Sequence, residues 1–187
     1  DRMNTVVTSK KEILKTSREL IQQAGWSVVN IRSVAAACGV SVGSIYNYFD
    51  SKAALMGATV ESVWCEIFRR PEDEAVFQDT QACITWLYQR MEYGCKRYPG
   101  FFSLHSLGFM GEDKSDGKRR MQQTWQHILD SLHSVLLRDT RVRPDAFTEA
   151  FTAEKFSDLL FSLMLSALLR QDYDPSVVLE IVRRTLY

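Results

Sequence analysis

The stretch from Asn30 to Leu55, NIRSVAAACGVSVGSIYNYFDSKAAL, restricts the fold more than any other part of the chain. It reads as two short helices joined by a turn. Asn30 can cap the first, because a short polar side chain there accepts a hydrogen bond from an amide one turn in. Val34, Ala35 and Cys38 then share one face. Gly39 ends this helix as a left-handed residue and Ser41 stands where a second N-cap is needed, which leaves Gly39-Val40-Ser41 as a tight turn. Two helices across a glycine-containing turn of this length have helix-turn-helix spacing.

The second helix, read as Val42 to Phe49, is unusual in what it exposes. Ile45 and Phe49 form its inner stripe, and Val42, Gly43, Ser44, Tyr46, Asn47 and Tyr48 share the other faces. Such a surface suits a DNA major groove. Small residues let the backbone approach base edges, while tyrosine hydroxyls and helix amides reach phosphates. Lys52 opens the next helix after Asp50, read as its N-cap, and would bring a cation to the same backbone. In the first helix Arg32 can read guanine directly or only touch phosphate, and both readings stand. Ser41 serves as a cap first and a DNA contact second. The expected DNA-contacting set is Arg32, Ser33, Ser41, Val42, Gly43, Ser44, Tyr46, Asn47, Tyr48 and Lys52.

The run Val34-Ala35, Gly39-Val40-Ser41, Gly43, Ile45-Tyr46, Tyr48-Phe49, Ser51-Lys52 and Leu55 resembles the DNA-binding signature of the tetracycline-repressor (TetR) transcription regulators. The resemblance covers roughly residues 9–57. Asn30 departs from it, standing where that family usually has threonine; the cap survives, but a hydroxyl contact to phosphate is lost. The resemblance implies an all-α, dimeric, ligand-controlled repressor or activator that binds double-stranded DNA, with a small-molecule site among its C-terminal helices.

With 187 residues, 45% hydrophobic and 25% charged, the chain is long enough for one small module and a larger helical one. We read residues 1–55 as the helix-turn-helix domain and 56–187 as a helical bundle for ligand binding and dimerisation. The net charge of zero argues at first against nucleic acid. Residues 1–52, however, carry seven Lys/Arg against four Asp/Glu, a local excess of three positive charges. The cysteines, Cys38, Cys65, Cys83 and Cys95, lack paired C-x-x-C spacing and read as thiols buried in helices of a reduced, cytoplasmic protein. No membrane span or signal peptide is read, and no metal site or cofactor is expected.

Around the motif, the first helix runs from about Lys10 to Ala24, with Ser9 and Glu12 as a capping box and Gly25 as its stop. The helix after Lys52 reaches Arg69 or Arg70, and its apolar face (Leu55, Met56, Thr59, Val60, Val63, Trp64, Ile67) is too wide for a single neighbour. Further helices are expected at about 80–97, 101–110 and 118–138. A basic loop, 141–144, leads to a long helix ending near Arg170, and Asp174-Pro175 starts the last one.

Two features of the C-terminal region bear on function. Its aromatics are dense, and Trp86, Tyr88, Phe102, Phe109, Trp125 and Phe151, with His105 as a polar handle, are candidates to line a pocket for an apolar or amphipathic effector. The segment 156–169, FSDLLFSLMLSALL, is apolar nearly all round and so must be covered on several sides. Phe156, Leu163, Ala167, Val178 and Ile181 are candidates for a two-fold interface, the alternative being a place inside the monomer core.

A ligand-responsive repressor working as a homodimer on a near-palindromic operator is the expected function. An enzyme using the C-terminal cavity is poorly supported, for the chain has no phosphate-binding glycine loop, no G-x-S-x-G and no H-E-x-x-H. A helical protein-interaction module that kept the helix-turn-helix only as a fold is the remaining alternative.

Overall fold

The structure is a computed structural model that describes residues 8–102 and 116–187, the side chains of 116–121 excepted. Among the described residues there are eight α-helices and no strand: α1 Lys10–Ala24, α2 Ile31–Cys38, α3 Val42–Tyr46, α4 Lys52–Ile67, α5 Thr80–Arg97, α6 Asp116–Arg138, α7 Ala153–Arg170 and α8 Ser176–Leu186. Single 3-10 turns occupy Trp26–Val28 and Glu74–Phe77. The apolar helix expected at 101–110 falls mostly outside the described residues.

The chain forms two compact units, each built from two stretches: Asp1–Glu66 with Cys95–Gln122, and Ile67–Gly94 with Gln123–Tyr187. In the first, Ile13 and Ile21 of α1, Val34 of α2, Ile45 of α3, and Leu55, Val63 and Trp64 of α4 are removed from solvent. Ser17 lies in the same core without cost, because its hydroxyl donates to the Ile13 carbonyl at 3.0 Å. All seven residues of the wide α4 face are buried, Thr59 donating its hydroxyl to the Leu55 carbonyl at 2.8 Å.

The segment after α5 completes this unit. The Trp26 amide donates to the Pro99 carbonyl at 3.0 Å and the Tyr98 hydroxyl to the Glu66 carboxylate at 2.8 Å. Phe101 meets Trp26 edge-on at 5.9 Å, and Phe102 meets Trp64 at 5.6 Å. Gly100 has φ +76° there, where a Cβ would be strained. Burial and the bond to Glu66 push the Tyr98 phenol up to about 12.

The second unit is closed around Tyr187. Buried Asp139, just after α6, accepts from the Thr80 amide at 3.0 Å and the Tyr187 hydroxyl at 2.6 Å, and from the Arg141 amide at 3.1 Å. The Arg141 guanidinium lies 4.3 Å over the Tyr187 ring and pairs with Asp79. The Arg143 amide donates to the Leu186 carbonyl at 2.7 Å. The end of α8 is thereby fixed to the loop between α6 and α7.

Several expectations need correction. α3 stops at Tyr46 rather than Phe49, because the Asn47 and Tyr48 amides bond carbonyls three residues back and tighten the chain into turns. α7 starts only at Ala153, capped by the Thr152 hydroxyl; before it, Thr148 and Phe151 exchange backbone hydrogen bonds and hold a turn. Of the four cysteines only Cys83 is buried, its thiol pushed up to about 12 by that burial, while Cys65 is exposed.

Candidate nucleic-acid interface

The recognition surface is assembled by caps. The Asn30 carboxamide oxygen accepts from the Ser33 amide at 2.9 Å, and the Ser33 hydroxyl accepts from the Asn30 amide at 2.9 Å. Gly39 is left-handed, with φ 69° and ψ 29°, and its amide and that of Val40 return to the carbonyls at the end of α2. Ser41 then caps α3 by accepting from the Ser44 amide at 3.1 Å. Ile45 and Phe49 anchor the short helix from beneath, both essentially without exposure.

The opposite side of α3 is open to solvent. Val42 is 39% exposed, Tyr46 47% and Tyr48 38%, large values for apolar and aromatic residues. Ser41, Gly43 and Asn47 are exposed beside them. A Cβ at Gly43 would meet only the Ser41 hydroxyl, at 3.7 Å, so the glycine leaves the first turn of α3 low and approachable. Arg32, from α2, and Lys52, at the start of α4, are exposed cations.

Not every expected contact is equally free. The Ser33 hydroxyl is engaged within the cap and lies 2.8 Å from the Val28 carbonyl, while Ser44 is half-buried with its hydroxyl 3.0 Å from that of Ser41. Tyr48 donates to the Thr8 carbonyl at 2.6 Å. The N-cap of α4 is Ser51, which accepts from the Ala54 amide at 3.0 Å, rather than Asp50. Sequence reasoning placed the start of α1 correctly but missed its contacts with this surface, the Thr8 carbonyl with Tyr48 and the Lys10 ammonium 5.2 Å over the Phe49 ring. Partners some forty positions away leave no local signal.

The effector candidates among the described residues meet different neighbours. Tyr88 lines a cavity of about 10 Å³ in the second unit with Ile84, Leu87, Leu132, Leu160, Met164 and Val178. Burial, with the charge of Asp172, pushes its phenol up. Trp86 packs on Phe77 at 5.7 Å, Trp125 on Phe161 at 5.6 Å, and Phe151 on Phe147 and Phe156 at 6.1 and 5.5 Å. Phe102 belongs to the first unit, and His105 and Phe109 lie outside the described residues.

Of the interface candidates, Phe156 and Ala167 are buried, Leu163 is half-buried and Val178 borders the cavity, which leaves Ile181 exposed. The outward faces carry other residues: Leu159, Ser162, Ser166 and Leu169 on α7, and Val177 with Ile181 on α8. Among the described residues no helix is long and apolar enough to cross a membrane.

Comparison with known proteins bears on this geometry. The chain is 24% identical to the uncharacterized HTH-type transcriptional regulator YuxN of Bacillus subtilis over 182 residues, which is 92% of this chain and 60% of YuxN. The chain thus spans less than two thirds of that relative's length. It is 28% identical to the nucleoid occlusion factor SlmA of Vibrio cholerae over 148 residues, covering 75% of this chain and 72% of SlmA. In fold it is similar to the regulator SCO7222, a TetR from Streptomyces coelicolor, with a TM-score of 0.63 at 18% identity over 95% of this chain and 85% of that one. Residues 13–59, which hold the caps, the glycine turn and the exposed face of α3, match the profile of the bacterial regulatory proteins of the tetR family, and this N-terminal stretch is a DNA-binding helix-turn-helix of that family.

Proposed function

We propose that this chain is a ligand-responsive repressor that binds a near-palindromic operator as a homodimer. The carrying observation is the outward face of α3, where Val42, Gly43, Tyr46 and Asn47 stand exposed above the buried anchors Ile45 and Phe49. In this reading Val42 and Gly43 meet base edges, Tyr46 donates to phosphate, and Arg32 and Lys52 supply charge on either side. A two-fold dimer sets its two α3 helices in successive major grooves, about 34–36 Å apart.

The last two helices supply the dimer contact. Leu159, Ser162, Ser166 and Leu169 recur on one side of α7, and Val177 and Ile181 on α8 add to the exposed apolar surface. The small serines let a second helix approach closely. The effector is small and apolar or amphipathic, matching the apolar side chains and single phenol around the Tyr88 cavity. A cavity of about 10 Å³ holds no more than one water, so an effector enters by parting the surrounding helices. It regulates only to the extent that it prefers one half-site spacing over another.

Selection from random duplex DNA, run with wild type and Tyr46→Ala at a stated salt concentration, tests the central claim. Enrichment of a palindrome by wild type and its loss by the variant is expected. Equal binding by both proteins with no enriched motif would sink the operator reading.

A further inference from the structure

We infer that Tyr48 is a positioning residue that holds the start of α1 at the DNA-reading face, and that its hydroxyl is not a phosphate ligand. The inference rests on the nucleic-acid reading of that face and deepens it. A DNA phosphodiester is ionised and can only accept hydrogen bonds, so a neutral side chain binds it by donating. A phenol has one proton. That of Tyr48 is donated to the Thr8 backbone carbonyl at 2.6 Å, across forty positions of sequence. Tyr46, two residues earlier and 47% exposed, gives its hydroxyl to no acceptor among the described residues. The two tyrosines therefore divide the work: Tyr46 is the donor to DNA and Tyr48 faces its own chain.

A second contact secures the same junction. Lys10 opens α1 and places its ammonium 5.2 Å over the ring of Phe49, the residue after Tyr48. Thr8 and Lys10 flank Ser9, whose hydroxyl caps α1 by accepting from the Glu12 amide at 3.1 Å. The tyrosine and the phenylalanine thus grip the first turn of α1 on both sides of its cap. Lys10 and Lys11, both exposed, are carried by that turn. The consequence is that the duplex-facing edge extends from α3 and the start of α4 to these lysines, and Tyr48 keeps them there.

The test separates this role from direct contact because a phenol has no charge. Tyr46→Phe and Tyr48→Phe are titrated against a fluorescein-labelled mixed-sequence duplex over a range of salt concentrations, and amide hydrogen exchange is measured on each free protein. Tyr46→Phe should weaken binding and leave the salt slope unchanged, since a neutral donor displaces no counterion. Tyr48→Phe should lower the slope by about one, the equivalent of one phosphate-neutralising lysine. It should also raise exchange at the Glu12 and Ile13 amides several-fold, whereas Tyr46→Phe leaves these amides as they are. Weaker binding by Tyr48→Phe at an unchanged slope would show a direct phosphate contact and overturn the inference. Unchanged exchange at Glu12 and Ile13 would overturn it without any DNA. Failure of the wild type to bind any duplex would instead remove the nucleic-acid reading of the whole face, and the inference with it.

Discussion

Asp139 is a carboxylate with almost no exposure, and several donors are aimed at it. Burial alone pushes its pKa up, but the hydrogen bonds from Tyr187, Thr80 and Arg141 outweigh it and hold the group below its ordinary value of 3.8. A carboxylate whose folded-state pKa is depressed adds stability above its unfolded value and loses it as pH falls through the folded one. Tyr187→Phe removes one donor and leaves the charge in place. It should cost about 2 kcal/mol at neutral pH, the usual worth of a hydrogen bond to a charged group. That difference from wild type should shrink as pH falls through the depressed folded-state pKa of Asp139, below which both proteins hold it protonated. Urea unfolding at neutral and acid pH measures both, and a penalty independent of pH would show that packing of the ring is what matters. None of this was legible in the sequence, for Thr80 and Tyr187 lie 59 and 48 positions from Asp139.

At the scale of elements, what the sequence revealed was what its local signals encode. The Asn30 and Ser41 caps, the left-handed Gly39 and the buried Ile45 and Phe49 stand as the spacing requires, since each depends on partners within about one turn. Gly39 offers a clean check, because no atom beyond its own chain neighbours lies within 4 Å of where its Cβ would be. Gly39→Ala should therefore cost only the backbone strain of a left-handed alanine, about 1–2 kcal/mol, read as a lowered thermal midpoint. Gly39→Asn should recover part of that loss. A penalty of similar size for both variants would mean that bulk at the turn, rather than backbone conformation, is responsible. The ends of α3 and α7 were misjudged for the complementary reason. At Tyr46 a run of three-residue hydrogen bonds tightens the chain, and before Ala153 a backbone-bonded turn intervenes, neither of which apolar periodicity records.

Across the whole molecule, periodicity showed that α7 is covered on several sides but not which side faces its own core. Phe156 and Ala167 turned inward, while Leu159, Leu169, Val177 and Ile181 remain 45, 47, 70 and 37% exposed. If those residues form the two-fold contact, Leu169→Arg with Ile181→Arg should convert the dimer to monomer in sedimentation velocity, with helical content unchanged. Palindromic DNA binding should fall more than tenfold, because half-site affinity no longer combines through linkage. A dimer that survived both charges would place the interface elsewhere. The aromatic pocket candidates were unreadable for a related reason: the same ring can fill a core or line a void, and of the five among the described residues Tyr88 alone borders the cavity.

The unit that carries the helix-turn-helix is not a continuous stretch of chain, since Tyr98, Pro99, Phe101 and Phe102 complete it around Trp26 and Trp64. A ribosome making this protein releases all the recognition residues well before the piece that closes their support, so the reading head matures only after residues 98–102 have followed it. The same arrangement limits recombination. A crossover just after Glu66 would graft the motif without its splint and bare two tryptophans, so this head can move between proteins only with residues 98–102 or with a substitute that fits the same aromatic seat.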